Sequence, residues 1–188
     1  MTRRFALMFA VILLAGCGGS DTARSDGPPR GGIGISGEGT AGDEAPPRAE
    51  GAIELTLRRA DGTFLDVGEL RGNVTLLYVF ATFDGISQML LHPLRQVAER
   101  HPDVQIVGIA AQPSARLLVD AYVHALSPPF AVTYDPEDTV QAGTSALGAI
   151  EVVPVVILLD EGGAEVERHT GFMSIERMEE MLAAAGVQ

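Results

Sequence analysis

Residues 73–83, "NVTLLYVFATF", contain an uninterrupted apolar run rich in valine, leucine and aromatic side chains. A run of that length and β-branched and aromatic content predicts a strand covered on both faces, which places it at the centre of a sheet with material packed above and below. Two further apolar runs, "DVQIVGIAA" at 103–111 and "VVPVVILLD" at 152–160, predict strands of the same kind. Helical periodicity separates the first two: Ile86, Leu90, Leu94 and Val97 mark an inward stripe on a helix over 85–100, kinked at Pro93.

The remaining segments complete an alternating order. "IELTLRRADG" from Ile53 reads as a strand ending in the Asp61-Gly62 turn, with Thr63 to Val67 expected to return beside it. Ser114 is expected to cap a helix reaching Leu126, with Leu118, Ala121, Tyr122 and Ala125 facing inward. "FAVTYD" is a short strand reaching Asp135, and 137–148 leaves room for a brief helix or a turn. Glu161-Gly162-Gly163 turns the chain into an antiparallel strand, "AEVERHTG", and a last helix starts at Ser174. Met173 and Met178 are placed to staple that helix start, with Ile175, Met178, Leu182 and Ala185 as its apolar face. Strands and helices in this order predict an α/β three-layer sandwich with a mixed central sheet and helices on both faces.

The first 50 residues are different. Arg3 and Arg4 precede eleven apolar residues, Phe5 to Ala15, too few to span a bilayer as a helix, which needs about 20. Residues 1–16 read as an export signal. Its end, Leu14-Ala15-Gly16-Cys17, resembles the lipobox of bacterial lipoproteins. That resemblance implies cleavage before Cys17, acylation of its thiol with fatty chains such as palmitate, and a bilayer as a partner. Gly18 in place of aspartate implies the periplasmic face of the outer membrane in a two-membrane bacterium. Residues 17–50 carry nine glycines and four prolines and almost no large apolar side chain, the composition of a tether, leaving 51–188 as one domain.

Charge and composition exclude several functions. The chain has 13 arginines, no lysine and 25 acidic residues, a formal charge of −12. Such a surface repels nucleic-acid phosphate and anionic lipid alike, and without lysine there is no Schiff-base chemistry. The four histidines, His92, His101, His124 and His169, lack the short paired spacing of metal ligands, so neither a metal nor any other cofactor is expected.

The order of elements, "FATFDGIS" after the central strand, and Val153-Pro154 before the hairpin strand together resemble the thioredoxin-like superfamily. The nearest branch is the membrane-tethered thiol-disulfide oxidoreductases and their alkyl-hydroperoxide-reductase-like relatives, over about Ile53 to Ala185. Members carry a W-C-x-x-C motif. Here its positions fall on Phe83, Asp84, Gly85, Ile86 and Ser87, with aspartate and serine where the two cysteines would be. Cys17 is the sole cysteine of the chain. A carboxylate and a hydroxyl neither attack a disulfide nor resolve one, and peroxide reduction equally needs a cysteine, so no catalytic residue is assigned.

At a helix start Asp84 reads as a capping residue and Ser87 as a first-turn serine bonded locally. By resemblance Pro154 is the cis-proline beside the active-site turn, where Val153 and Pro154 would offer backbone groups to an extended peptide. These readings lead to a non-catalytic envelope lipoprotein that binds a protein or peptide at the degenerate turn. Two alternatives stay open: oxidoreductase activity using a partner's thiols or unidentified chemistry, and a structural lipoprotein that uses its surface rather than a cleft. The oligomeric state is left open.

Overall fold

A computed structural model describes residues 51–188; the segments expected to be an export signal and a tether, with Cys17, lie outside the described residues. Seven strands form one sheet: β1 Thr56–Arg59, β2 Phe64–Asp66, β3 Thr75–Phe80, β4 Gln105–Ala110, β5 Ala131–Tyr134, β6 Val155–Leu159 and β7 Glu165–Thr170. Four helices join them: α1 Gly85–Arg100, α2 Ala115–Leu126, α3 Thr139–Ala142 and α4 Ile175–Ala184. A 3-10 turn, Val67–Leu70, follows β2, so Val67 leaves the return strand that the sequence predicts to include it.

The strand order is β2-β1-β5-β4-β3-β6-β7. β3 pairs parallel with β4, and β4 with β5, whereas β6 and β7 close one side as an antiparallel hairpin and β1 and β2 the other. The sheet is mixed, as expected from the element order. β3 lies between β4 and β6, and every one of its residues is buried. Alternation sorts its side chains: Leu76, Tyr78 and Phe80 join one core with α1, α2 and α4, while Leu77 and Val79 join a second core. That second core is closed by α3 through Val140, by the 3-10 turn through Val67 and by Ile53 and Leu55. Helical cover therefore lies on both faces, the three-layer sandwich expected.

Local details depart from the sequence reading. α1 runs through Pro93, which is buried. On α1 the inward stripe runs through Ser87, Leu90, Leu94 and Val97, and Ile86 is exposed because Ser87, one position on, takes the inward place in the first turn. On α2 the inward residues are Ala115, Val119 and Tyr122, whereas Leu118, Ala121 and Ala125 face outward. Two overlapping apolar stripes run along this helix, and the sequence does not say which meets the sheet. Ser114 adopts a left-handed conformation, φ +60°, and makes no side-chain cap bond. α4 is capped by Ser174, with Met173 and Met178 buried together in the core, whereas Ile175 is only partly covered.

The aromatic side chains beneath α1 fix the interior of the site end. Tyr78 and Phe80 stack with centroids 4.8 Å apart, and Phe80 meets Tyr122 at 4.9 Å. Gly108 on the neighbouring strand makes room: a Cβ there would lie 3.3 Å from the Phe80 ring and 3.4 Å from that of Phe130.

Candidate functional site

β3 ends at Phe80, and the chain passes through Ala81, Thr82 and Phe83 into α1. Asp84 caps this helix, its Oδ2 accepting from the Ser87 amide at 2.6 Å, in the extended conformation usual for a cap. The preceding loop is held by two glutamines. Gln112, buried after β4, accepts from the Thr82 amide and donates Nε2–H to Thr82 Oγ1 at 2.8 Å, and Gln88 Nε2 donates to the Thr82 carbonyl at 2.9 Å. The Thr82 amide and carbonyl are thereby both bonded, which orders the loop. The Gln112 contact is not suggested by the sequence reading, since a polar contact reaching 30 residues along the chain leaves no periodic trace.

Ser87 is fully buried. Its hydroxyl accepts from the Ala81 amide at 3.4 Å, and its carbonyl accepts from the Tyr78 hydroxyl at 2.5 Å. A hydroxyl sealed beneath the first turn, with no histidine on it, has no route to a substrate in this conformation. The neighbouring phenols offer no base either: burial drives the Tyr78 phenol far upward and that of Tyr122 up to about 12. The Tyr122 hydroxyl is buried beside Tyr78 with no hydrogen-bond partner among the described residues.

Three segments meet at this end of the sheet. Val79 pairs with Val155, so continuing the antiparallel register sets Pro154 opposite Phe80. Val155 pairs with Thr170, and the Gly171 amide donates to the Pro154 carbonyl at 2.8 Å, which brings Phe172 alongside. The Val153-Pro154 peptide is cis and lies just before β6, which starts at Val155 rather than at Val152. Pro154 thus lies at the same end of the sheet as the turn of residues 83–86 that follows β3.

The exposed side chains here are mostly apolar. Phe83 is 73% exposed, Ile86 48%, Val152 60% and Phe172 50%. Val152 and Phe172 were not singled out by the sequence reading, because large apolar residues in short connecting segments look like core. The histidines remain apart: His92 and His124 are exposed on different helices, His101 bonds Glu179 at 2.6 Å, and His169 bonds the Phe172 carbonyl. No group of three potential metal ligands occurs among the described residues.

No protein-family model and no curated protein matches this sequence. Solved structures do. MTB dsbF, solved in mixed oxidized and reduced forms, superposes with a TM-score of 0.61 at 23% identity, covering 72% of this chain and 97% of that one. A thioredoxin-family thiol:disulfide interchange protein from Chlorobium tepidum gives 0.60 at 20% identity, over 76% and 98%. The pneumococcal exposed lipoprotein thioredoxin Etrx1 from Streptococcus pneumoniae gives 0.57 at 18%, over 69% and 98%. The fold is thioredoxin-like. What the domain lacks is a thiol: residues 51–188 contain no cysteine, and of the two positions that the sequence resemblance aligns with cysteines, Asp84 serves as a helix cap and Ser87 is buried. No helix among the described residues is long and apolar enough to cross a membrane.

Proposed function

We propose that this chain is a lipid-anchored, thiol-free thioredoxin-like protein that binds an extended segment of an envelope protein along the rim of Phe83 to Ile86, Val152 to Pro154 and Phe172. The observation that carries this reading is the exposed apolar rim. Four large apolar side chains face solvent in the segments that follow β3, precede β6 and follow β7, at one end of the sheet. Exposed apolar groups concentrated at one place mark interaction surfaces. The two-glutamine clamp on Thr82 keeps the loop ordered, lowering the entropy lost on binding. Extended segments add affinity through backbone pairing and gain specificity from side chains alternating into such a surface, with no thiol required.

The experiment is site-specific photocrosslinking in the intact envelope. A photoreactive phenylalanine analogue at position 83 or 152 of the full chain is expected to give a discrete adduct, and the same group at the exposed Leu117 on α2 none. Identical patterns from all three positions, or no adduct from 83 and 152, contradict the rim reading.

Anchoring rests on Leu14-Ala15-Gly16-Cys17 and is in keeping with Etrx1, which is itself described as an exposed lipoprotein. Each buried CH₂ of an acyl chain contributes about 0.8 kcal/mol, so a multiply acylated cysteine holds a protein at the bilayer stably. Cys17→Ser is expected to move the protein from the membrane to the soluble fraction of fractionated cells. Unchanged membrane association of the variant contradicts the anchor.

A further inference from the structure

Two carboxylates stand beside the apolar residues in sequence, Asp84 next to Phe83 and Glu151 next to Val152, and neither has an ion-pair partner among the described residues. Asp84 uses Oδ2 for the helix cap, and no arginine or histidine pairs with it among the described residues. Glu151, exposed and adjacent to Val152, lines a cavity of about 260 Å³ with Ile150, Val152, Val155 and Arg168. Arg168 is the cation of that cavity and is already committed. Its Nε donates to Glu165 Oε1 at 2.8 Å, and its Nη2 donates to Glu165 Oε2 at 2.6 Å and to the Leu147 carbonyl at 2.9 Å. A bidentate pair of this kind neutralises the guanidinium, leaving Glu151 as net negative charge beside the apolar groups. Arg116, a guanidinium without an ion-pair partner among the described residues, lines a different cavity with Asp135 and Asp138.

We infer that the rim selects segments in which an arginine or lysine stands next to bulky apolar residues. This inference rests on the rim being the binding surface and adds the chemistry of its partner. Apolar side chains of the segment cover Phe83, Val152 and Phe172. The cation meets the field of Asp84 and Glu151, reinforced by the chain's formal charge of −12, and an acidic segment is repelled by the same groups. The chain carries no lysine and its described arginines are largely paired or bonded within the domain, so the complementary charge is supplied by another protein.

The test uses the full acylated chain in phosphatidylcholine nanodiscs and two dye-labelled peptides of alternating valine and phenylalanine, one with a central arginine and one with a central glutamate. Fluorescence anisotropy is expected to show the arginine peptide bound at least about tenfold more tightly, since like-charge juxtaposition penalises the other. In the double variant Asp84→Asn/Glu151→Gln, where asparagine preserves the cap, the ratio is expected to fall to about twofold or less. Phe83→Ser is expected to weaken both peptides together. Equal binding of the two peptides, still weakened by Phe83→Ser, overturns charge selection and leaves the rim intact. Discrimination that persists in the double variant overturns the assignment to these two carboxylates. Failure of both peptides to bind, or indifference to Phe83→Ser, overturns the rim reading and this inference with it.

Discussion

Phe80→Ala is expected to cost about 3–5 kcal/mol of stability, the range for removing a buried phenylalanine. The ring is fully buried, stacked on Tyr78 and tilted against Tyr122, and the gap left by its removal is bounded by rigid backbone at Gly108. Strands on both sides of β3 hold that backbone in place, so the cavity collapses little. Domains are stable by about 5–15 kcal/mol, and the loss corresponds to a fall in thermal midpoint of about 10–20 °C. Phe83, three residues on, provides the control. It is 73% exposed, and Phe83→Ala is expected to change stability by no more than about 0.5 kcal/mol. Near-UV circular dichroism melts of the full chain read both. A Phe80→Ala cost below about 1 kcal/mol, or comparable costs for the two variants, contradicts the packing described for β3.

The second large effect is a gain. Asp84→Cys/Ser87→Cys restores a pair of thiols three residues apart on the first turn of α1, where side chains at i and i+3 are neighbours within the reach of a disulfide. A thiol at a helix N-terminus has its pKa lowered from about 8.5, which raises its thiolate fraction at neutral pH. In oxidised glutathione the double variant is expected to form a reversible disulfide, and in dithiothreitol to speed insulin reduction measurably above the uncatalysed rate. Loss of the Asp84 cap costs about 1 kcal/mol and the Ser87 hydroxyl loses its bond from Ala81, so the variant is somewhat less stable than the parent. Each single replacement is expected to give no turnover, since the mixed disulfide then has no resolving thiol. A double variant that folds and forms no disulfide would show that positions 84 and 87 are not the thiol positions of this fold.

The parts of the fold legible in the sequence are those set by burial. β3 is completely buried, and its apolar run locates it; α1 spans Gly85–Arg100 because three of the four marked residues, Leu90, Leu94 and Val97, do pack inward. Orientation was less legible. Ala115, Val119 and Tyr122 on α2 compete with Leu118, Ala121 and Ala125 as an apolar face, and only the tertiary fold chooses between them. At the site, Asp84 and Ser87 are visible as absences of cysteine. The hold of Gln112 on Thr82 and the exposure of Val152 and Phe172 depend on segments distant in sequence meeting at the sheet end, which no local pattern records.

The absence of thiol exchange is tested most directly by dithiothreitol-driven insulin reduction with the unaltered full chain, the double cysteine variant serving as the positive control. The account predicts a rate indistinguishable from buffer for the parent chain. Turnover by the parent chain above that background, with no other protein present, contradicts it.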